Sequence, residues 1–392
     1  MYVVKMFDKV SNSAQARMNM KQYVLLHHVE DYDASFVRYD DLTEVEFPES
    51  LLCIARAGFS TINIPVEKCT EKGIVVFHTP GATANGVMEL AICSILLSSR
   101  KILEGANWMK SLVGQQGTRE IAEQNRMRFS GSEITRKKLG VIGLGAVGTK
   151  VANTAAAMGM EVLGYDPYIS TGAALSLNGK VKYKRKWSEL IGDCDYLTFH
   201  VPVNEETEHY INKEMLEDVK KGVRIINLAD AKLIQEEDLK EALENGTVSA
   251  YVSDFVSDVL LPLENVIFLP HMGGETEECS DRSTTMALEE IWQYLEYGTI
   301  RNSVNFPSLE VLYEGGYRIC LLYHNLPNII SDVLCIINSH VINFGSRSKG
   351  EVAYTIVDLS TPLEENKIEK LRAIQGMLMV RQIGKRDTYS TV

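Results

Sequence analysis

The sequence predicts an α/β protein, with parallel, doubly wound sheets over most of the chain and a small module of mixed helix and strand at its end. Three observations predict it. Short apolar runs alternate with helix-like stretches through the first three hundred residues, the rhythm of strands and helices taking turns. One of those runs leads into a glycine-spaced turn and then a helix, the start of a βαβ unit. From residue 317 the order becomes βαββαβ, a ferredoxin-like arrangement.

The first strands expected are "QYVLLH", "FVRYD", "LLCIARAG" and "IVVFHTP", each closed by polar, Gly or Pro residues. Residues 85–111 carry apolar side chains at mixed three and four spacing and predict one long helix bridging two domains. A second strand series follows: "LGVI", "EVLGYD", "CDYLTFHVP", "VRIINLA", "VSAYVSDF" and "NVIFLPH". Residues 279–298 predict a helix ended by glycine, and 306–316, which carries Pro307 and closes on two glycines, reads as a linker. The predicted boundaries are 1–88 with 275–305 for one domain, 89–274 for a second, 317–384 for the C-terminal module and 385–392 for a loose tail.

The bulk numbers exclude several classes of partner. A net charge of −12 disfavours nucleic acid and anionic membranes, which attract clustered cations. The densest basic run, residues 180–187, reads as a solvated strand edge. Seven scattered cysteines without a C-x-x-C pair suit reduced thiols better than disulfides or zinc, so no metal is expected. The N-terminus has no leader-like apolar run, and no stretch of about 20 apolar residues could span a bilayer. A cytoplasmic protein is expected.

The glycine turn is the strongest chemical signal. Gly143, Gly145 and Gly148 follow an apolar strand and, with Ala146 and Val147, open a helix. A later strand ends in the acid Asp166. Such a unit binds a dinucleotide: glycines let the backbone approach a pyrophosphate, the helix start offers unpaired N–H groups, and the acid accepts bonds from a ribose diol. A carboxylate at 166 also repels the 2′-phosphate of NADP, so NAD is the cofactor expected.

Taken with "ARAGFSTINIPVEKCTEKGIVVFHTPGATAN", "CDYLTFHVP", "LPHMGGETEE" and "RNSVNFP", these motifs resemble the D-2-hydroxyacid dehydrogenase family, most closely its phosphoglycerate-oxidising members with a C-terminal ACT domain. The resemblance implies a Rossmann-type doubly wound NAD domain inserted in a flavodoxin-like substrate domain, plus a ferredoxin-like ACT domain. It implies a small-molecule 2-hydroxy acid substrate, an amino-acid effector at the ACT domain and a homo-oligomer. His271 matches the acid/base histidine and Asp258 the carboxylate that orients it. Val201, Pro202, Ala229 and Asp254 fall on the cofactor side. Arg38, Arg56, Gly58 and Asn63 fall on the substrate side, and Asn325 and Asn343 match effector contacts.

One position breaks the pattern. "NLADAK" places Asp230 where the family carries the arginine that grips the substrate carboxylate. Unit charges 4 Å apart at an effective dielectric of 20 attract by about 4 kcal/mol, so the reversal turns an attraction into a repulsion of that order. Lys232 is the candidate replacement cation, and His200 a second, more structural histidine. Three readings follow: an NAD-dependent oxidoreductase of 3-phosphoglycerate or a related acid; a silent NAD-binding relative acting as a regulatory subunit; or a dehydrogenase whose substrate presents a cation to Asp230.

Overall fold

The computed structural model describes residues 1–10 and 22–384; the expected tail at 385–392 lies outside the described residues. The chain divides into two units, one made of Met1–Ala82 and the chain from Ser280 onward, the other of Thr83–Cys279. The crossings thus fall at 82 and 280, not at the expected 88 and 275, and the C-terminal module belongs with the first unit.

In the first unit a parallel sheet is built from β1 (Tyr2–Met6), β2 (Tyr23–Leu26), β3 (Ala34–Val37), β4 (Cys53–Arg56) and β5 (Val75–Phe77), in the order β2-β1-β3-β4-β5. This is the flavodoxin-like order. β3 and β5 are buried at every residue, as parallel strands covered on both faces must be. β1 was not among the predicted strands: its five residues are only partly buried and offer a short pattern at the chain's end.

The helix Glu277–Tyr297 lays Ala287, Leu288, Ile291, Tyr294 and Leu295 against Val4, Phe36, Ala55 and Phe77 of this sheet. Those helix positions repeat at three and four, one apolar stripe. The C-terminal strands β13 (Tyr317–His324), β14 (Val341–Lys349), β15 (Val352–Leu359) and β16 (Met377–Ile383), with helices Ile329–Ile337 and Glu365–Arg372 between them, form an antiparallel sheet of order β14-β15-β13-β16. Period-two alternation gives this sheet two apolar faces. Ile319, Leu321 and Tyr323 point to its own helices, whereas Cys320, Leu322, Tyr354, Ile356 and Ile383 join the core of the first sheet.

The segment 306–316 is consequently not a free linker. Phe306, Leu309 and Tyr313 are buried, and Ile300 and Leu309 form an antiparallel bridge. The fully buried Arg318 fixes it: the guanidinium donates to Asp358 Oδ1 at 2.6 Å and Oδ2 at 2.7 Å, and also to the carbonyls of Tyr297 (2.7 Å) and Val311 (3.0 Å). A buried guanidinium bonded to a carboxylate and two carbonyls has its desolvation penalty offset by those charge-assisted bonds.

In the second unit seven parallel strands, β6 (Lys138–Ile142), β7 (Glu161–Tyr165), β8 (Lys182–Lys184), β9 (Tyr196–Phe199), β10 (Val223–Asn227), β11 (Val248–Ser253) and β12 (Val266–Phe268), take the order β12-β11-β10-β9-β6-β7-β8. The chain reverses direction across the sheet between β6 and β9, the Rossmann switch point. The helix expected over 85–111 is two helices, Ala84–Ser99 and Ile102–Ser111, separated by an extended Arg100 (φ −129°, ψ 134°). The hydroxyls of Ser98 and Ser99 bond back to the Ile95 carbonyl, at 2.9 and 2.5 Å, and compete with the backbone ladder. The second helix buries no residue, so no core contact carries it across the break.

Candidate functional site

The cofactor half of the site lies wholly in the second unit. Gly143 has φ +89° and donates its N–H to the Tyr165 carbonyl at 2.8 Å; a Cβ there would stand 2.4 Å from the His200 carbonyl oxygen. A Cβ on Gly148 would stand 1.8 Å from the Gly143 carbonyl oxygen. Both positions exclude any other residue. Gly145 differs: a Cβ there would meet nothing within 4 Å, so its glycine leaves open space at the start of the helix Ala146–Ala157. That helix begins at Ala146, Val147 and Gly148, whose N–H groups belong to the first turn and have no intrahelical acceptor.

Asp166, just past β7, accepts the Leu144 N–H at 2.8 Å on Oδ2 and the Tyr168 N–H at 2.8 Å on Oδ1. Each oxygen keeps a lone pair for a ribose hydroxyl. Open space, unpaired N–H groups and a fixed carboxylate together fit a dinucleotide. Val201 and Pro202 follow β9 at the switch point, where Pro202 O accepts the Thr207 hydroxyl at 2.6 Å. The ring of His200 bonds Thr198 Oγ1 at 3.0 Å, and burial pushes its imidazole down to about 4. A neutral, internally bonded ring there is structural.

After β10 the buried Asn227 organises the loop that carries the charge reversal. Its Oδ1 accepts the Ala229 N–H at 3.1 Å, and its Nδ2 donates to the Asp230 carbonyl at 2.8 Å. The Asp230 backbone is extended, and its Oδ1 accepts the Lys232 N–H at 2.9 Å, capping the 3-10 turn Ala231–Leu233. Asp230 thus has a local task that an arginine could not perform. Lys232 is exposed and, among the described residues, in no ion pair.

His271 sits at φ +39°, held by bonds from its N–H to the carbonyls of Asp254 and Leu269, each 3.0 Å, and its exposed ring lies 4.7 Å from Phe255. Asp258, expected to orient it, is exposed and makes no hydrogen bond to it. Asp254, directly after β11 and 3% exposed, meets His271 through its backbone carbonyl. Its Oδ2 accepts the Gly273 N–H at 3.0 Å and its Oδ1 is buried without a partner. Burial raises its pKa, against lowering by the Gly273 bond and the His271 charge. The sequence placed Asp254 on the cofactor side; its position at the end of a strand was the available signal.

The residues expected on the substrate side lie in the first unit. β3 and β4 are in register at Val37 and Arg56, so Arg38 and Arg56 lie at the carboxyl ends of neighbouring strands. The backbone N–H groups of Arg38 and Tyr39 bond Asp8 Oδ2 at 2.5 and 3.1 Å. Arg38 donates from Nη1 to Ser280 Oγ and from Nη2 to Ser283 Oγ at 3.0 Å. Neither serine was singled out in the sequence, because their one-turn spacing acquires meaning only once the helix lies beside β3. The Arg56 Nε is buried without a partner; burial and then the Arg38 charge push its guanidinium below its ordinary value.

Gly58 (φ +156°) turns the chain tightly over that guanidinium, where a Cβ would stand 2.0 Å from Nη1. Asn63 donates to the Asp40 carbonyl at 2.7 Å, leaving its Oδ1 buried and unpartnered. Asn325 and Asn343 are not brought together within the chain. Asn343 lines a groove of about 520 Å³ with Leu309–Leu312, opposite Asp358, whereas Asn325 bonds the Glu351 carbonyl at the other end of the sheet, about 20 Å away by strand rise. Among the described residues no group of three His, Cys, Asp or Glu side chains could hold a metal, and no helix is long and apolar enough to cross a membrane.

Comparison with known proteins agrees with this geometry. A sequence profile of the D-isomer specific 2-hydroxyacid dehydrogenase NAD-binding domain matches residues 92–273. D-3-phosphoglycerate dehydrogenase of Methanocaldococcus jannaschii is 34% identical over 341 residues, 84% of this chain and 63% of that protein. Hydroxypyruvate reductase of Thermotoga maritima is 35% identical over 260 residues, 64% of this chain and 80% of that protein. The chain therefore spans less than two thirds of the length of the phosphoglycerate dehydrogenase it matches. An NAD+-bound 3-phosphoglycerate dehydrogenase of Entamoeba histolytica superposes with a TM-score of 0.61 at 25% identity, over 79% of this chain and 99% of that one. With a glycine cradle, an acid fixed at the end of β7 and relatives of this kind, the chain belongs to the D-isomer specific 2-hydroxyacid dehydrogenases, and its second unit contains their NAD-binding domain.

Proposed function

We propose that the chain is an NAD-dependent oxidoreductase that interconverts a D-2-hydroxy acid and its 2-oxo acid, with D-3-phosphoglycerate as substrate and serine biosynthesis as context. The observation that carries the reading is the cofactor cradle of Gly143–Gly148 and Asp166 with His271 in the same unit. The glycine cradle and Asp166 would hold NAD, which would supply the hydride acceptor; in this scheme His271 takes the proton of the substrate hydroxyl and Asp254 steadies the imidazolium. Arg38 and Arg56, aided by Gly58 and Asn63, receive the anionic end. The C-terminal sheet serves as an ACT-type module for an amino-acid effector, with Asn343 in its groove, in a cytoplasmic homo-oligomer.

A specific observation favours a second reading, an NAD-binding subunit without turnover. Asp230 stands at the family's arginine position with its carboxylate committed to a turn. Titration with NADH by fluorescence, alongside assays with D-3-phosphoglycerate, D-glycerate and D-lactate, separates the two. Turnover of any of them supports the enzyme; tight NADH binding with none removes it in favour of the silent subunit. Gain of turnover in Asp230→Arg locates the defect, and full activity in Lys232→Ala dismisses lysine as the replacement cation.

A further inference from the structure

We propose that a cavity along the helix Glu277–Tyr297 binds a small aliphatic amine, whose ammonium group bonds the Glu290 carboxylate. No step of the oxidoreductase scheme uses this cavity, and all of its lining lies in the first unit.

The helix carries a second stripe besides the apolar one. Arg282, Met286, Glu289 and Gln293, again three and four apart, line a cavity of about 360 Å³ together with Arg301 and Asn302. That volume lies at the lower end of the range for small-molecule sites. Glu290 lines the same cavity, yet it is only 5% exposed. Its Oε1 accepts the Asn302 amide at 2.5 Å. Asn302 is itself fixed, its carbonyl accepting the N–H of His78 at 3.1 Å just past β5. The Glu290 Oε2 is buried without a partner. One oxygen of this carboxylate is therefore held in place, while the other lacks the bond that burial demands. Burial raises its pKa, and the Asn302 bond and the Arg301 charge oppose that shift only in part.

The surrounding charge selects a cation. Asp281, Glu289 and Glu290 line the cavity against Arg282 and Arg301, and Arg301 already gives two bonds to Glu310, from Nε at 3.2 Å and from Nη2 at 2.5 Å. An anion would meet the unpartnered carboxylate oxygen as a like charge, whereas an ammonium would give it a charge-assisted bond. A metal ion fits worse, because among the described residues no three His, Cys, Asp or Glu side chains gather to hold one. The methylenes that carry the ammonium find Met286 in the lining.

The test is calorimetric titration of the full chain with putrescine and with its neutral isostere 1,4-butanediol. Putrescine is expected to bind and butanediol to give no signal. Glu290→Gln keeps an acceptor for Asn302 and removes the charge; it should weaken putrescine by at least about tenfold, the loss of one charge-assisted hydrogen bond. Glu289→Gln, at an exposed position, should lose no more than about threefold. Should Glu290→Gln fail to fold, Met286→Trp decides: it fills the cavity from a half-buried position and should abolish binding. Wild-type protein that binds no putrescine up to about 10 mM overturns the site. So does equal binding of butanediol, wild-type affinity in Glu290→Gln or Met286→Trp, or a larger loss in Glu289→Gln than in Glu290→Gln.

Discussion

Gly148 in the cofactor half and Gly58 in the substrate half look alike at first: at each, an added Cβ would overlap an existing atom, at 1.8 and 2.0 Å. The atoms met are different in kind. At Gly148 it is the carbonyl oxygen of Gly143, part of a turn locked between β6 and its helix; at Gly58 it is the tip of the Arg56 side chain, which has rotamers to move through. The turn expected to bind the cofactor is constrained by backbone atoms, and the one expected on the substrate side packs against a side chain. A backbone-dictated site tolerates no drift, whereas a side-chain site can change its chemistry and keep its fold.

The largest test of that contrast is Gly148→Ala. Displacing the turn should cost about 3 kcal/mol or more of stability, and NADH affinity should fall by about a hundredfold, read by denaturant unfolding and fluorescence titration. Next in size is a pH effect confined to the cofactor half. The folded-state pKa of His200, about 4, lies below the ordinary 6.5, so between those values the unfolded chain binds a proton that the folded chain does not. Its contribution is full above pH 6.5 and is lost as the pH falls toward 4, by about 3 kcal/mol in all. His200→Gln should flatten the urea midpoint over that range.

Gly58→Ala should cost about 1–2 kcal/mol for its backbone conformation and leave NADH affinity untouched; a loss of NADH binding as large as that of Gly148→Ala would break the comparison. The smallest effect is expected of Asp166→Asn. About a tenfold loss of NADH affinity, with weaker rejection of NADPH, would match one charged hydrogen-bond acceptor removed.

The same contrast decides what could be read before the structure was known. The glycine spacing is visible because only glycine fits at Gly143 and Gly148, and the doubly wound α/β pattern was legible in strands that end in polar or glycine-bearing loops, whereas the order of the strands came only with the structure. The different surroundings of the two acids near His271 were not visible: Asp254 and Asp258 lie in one loop, and only burial separates the first from the exposed second. The helix break at Arg100 carried no Gly or Pro, only serine hydroxyls that compete with the ladder. Ser280 and Ser283 required knowing which strand their helix lies beside.

The sheet β14-β15-β13-β16 keeps one face for its own helices and gives the other to the first sheet's core, with Arg318 holding the segment between. An appendage on a string leaves its host's surface untouched when it is removed. This one shares a core with its host: deleting residues 317–383 would bare Ile291, Tyr294 and Leu295, and the excised segment would bare Cys320, Leu322, Tyr354 and Ile356. A chain cut at this point would need polar side chains on both new surfaces to stay in solution.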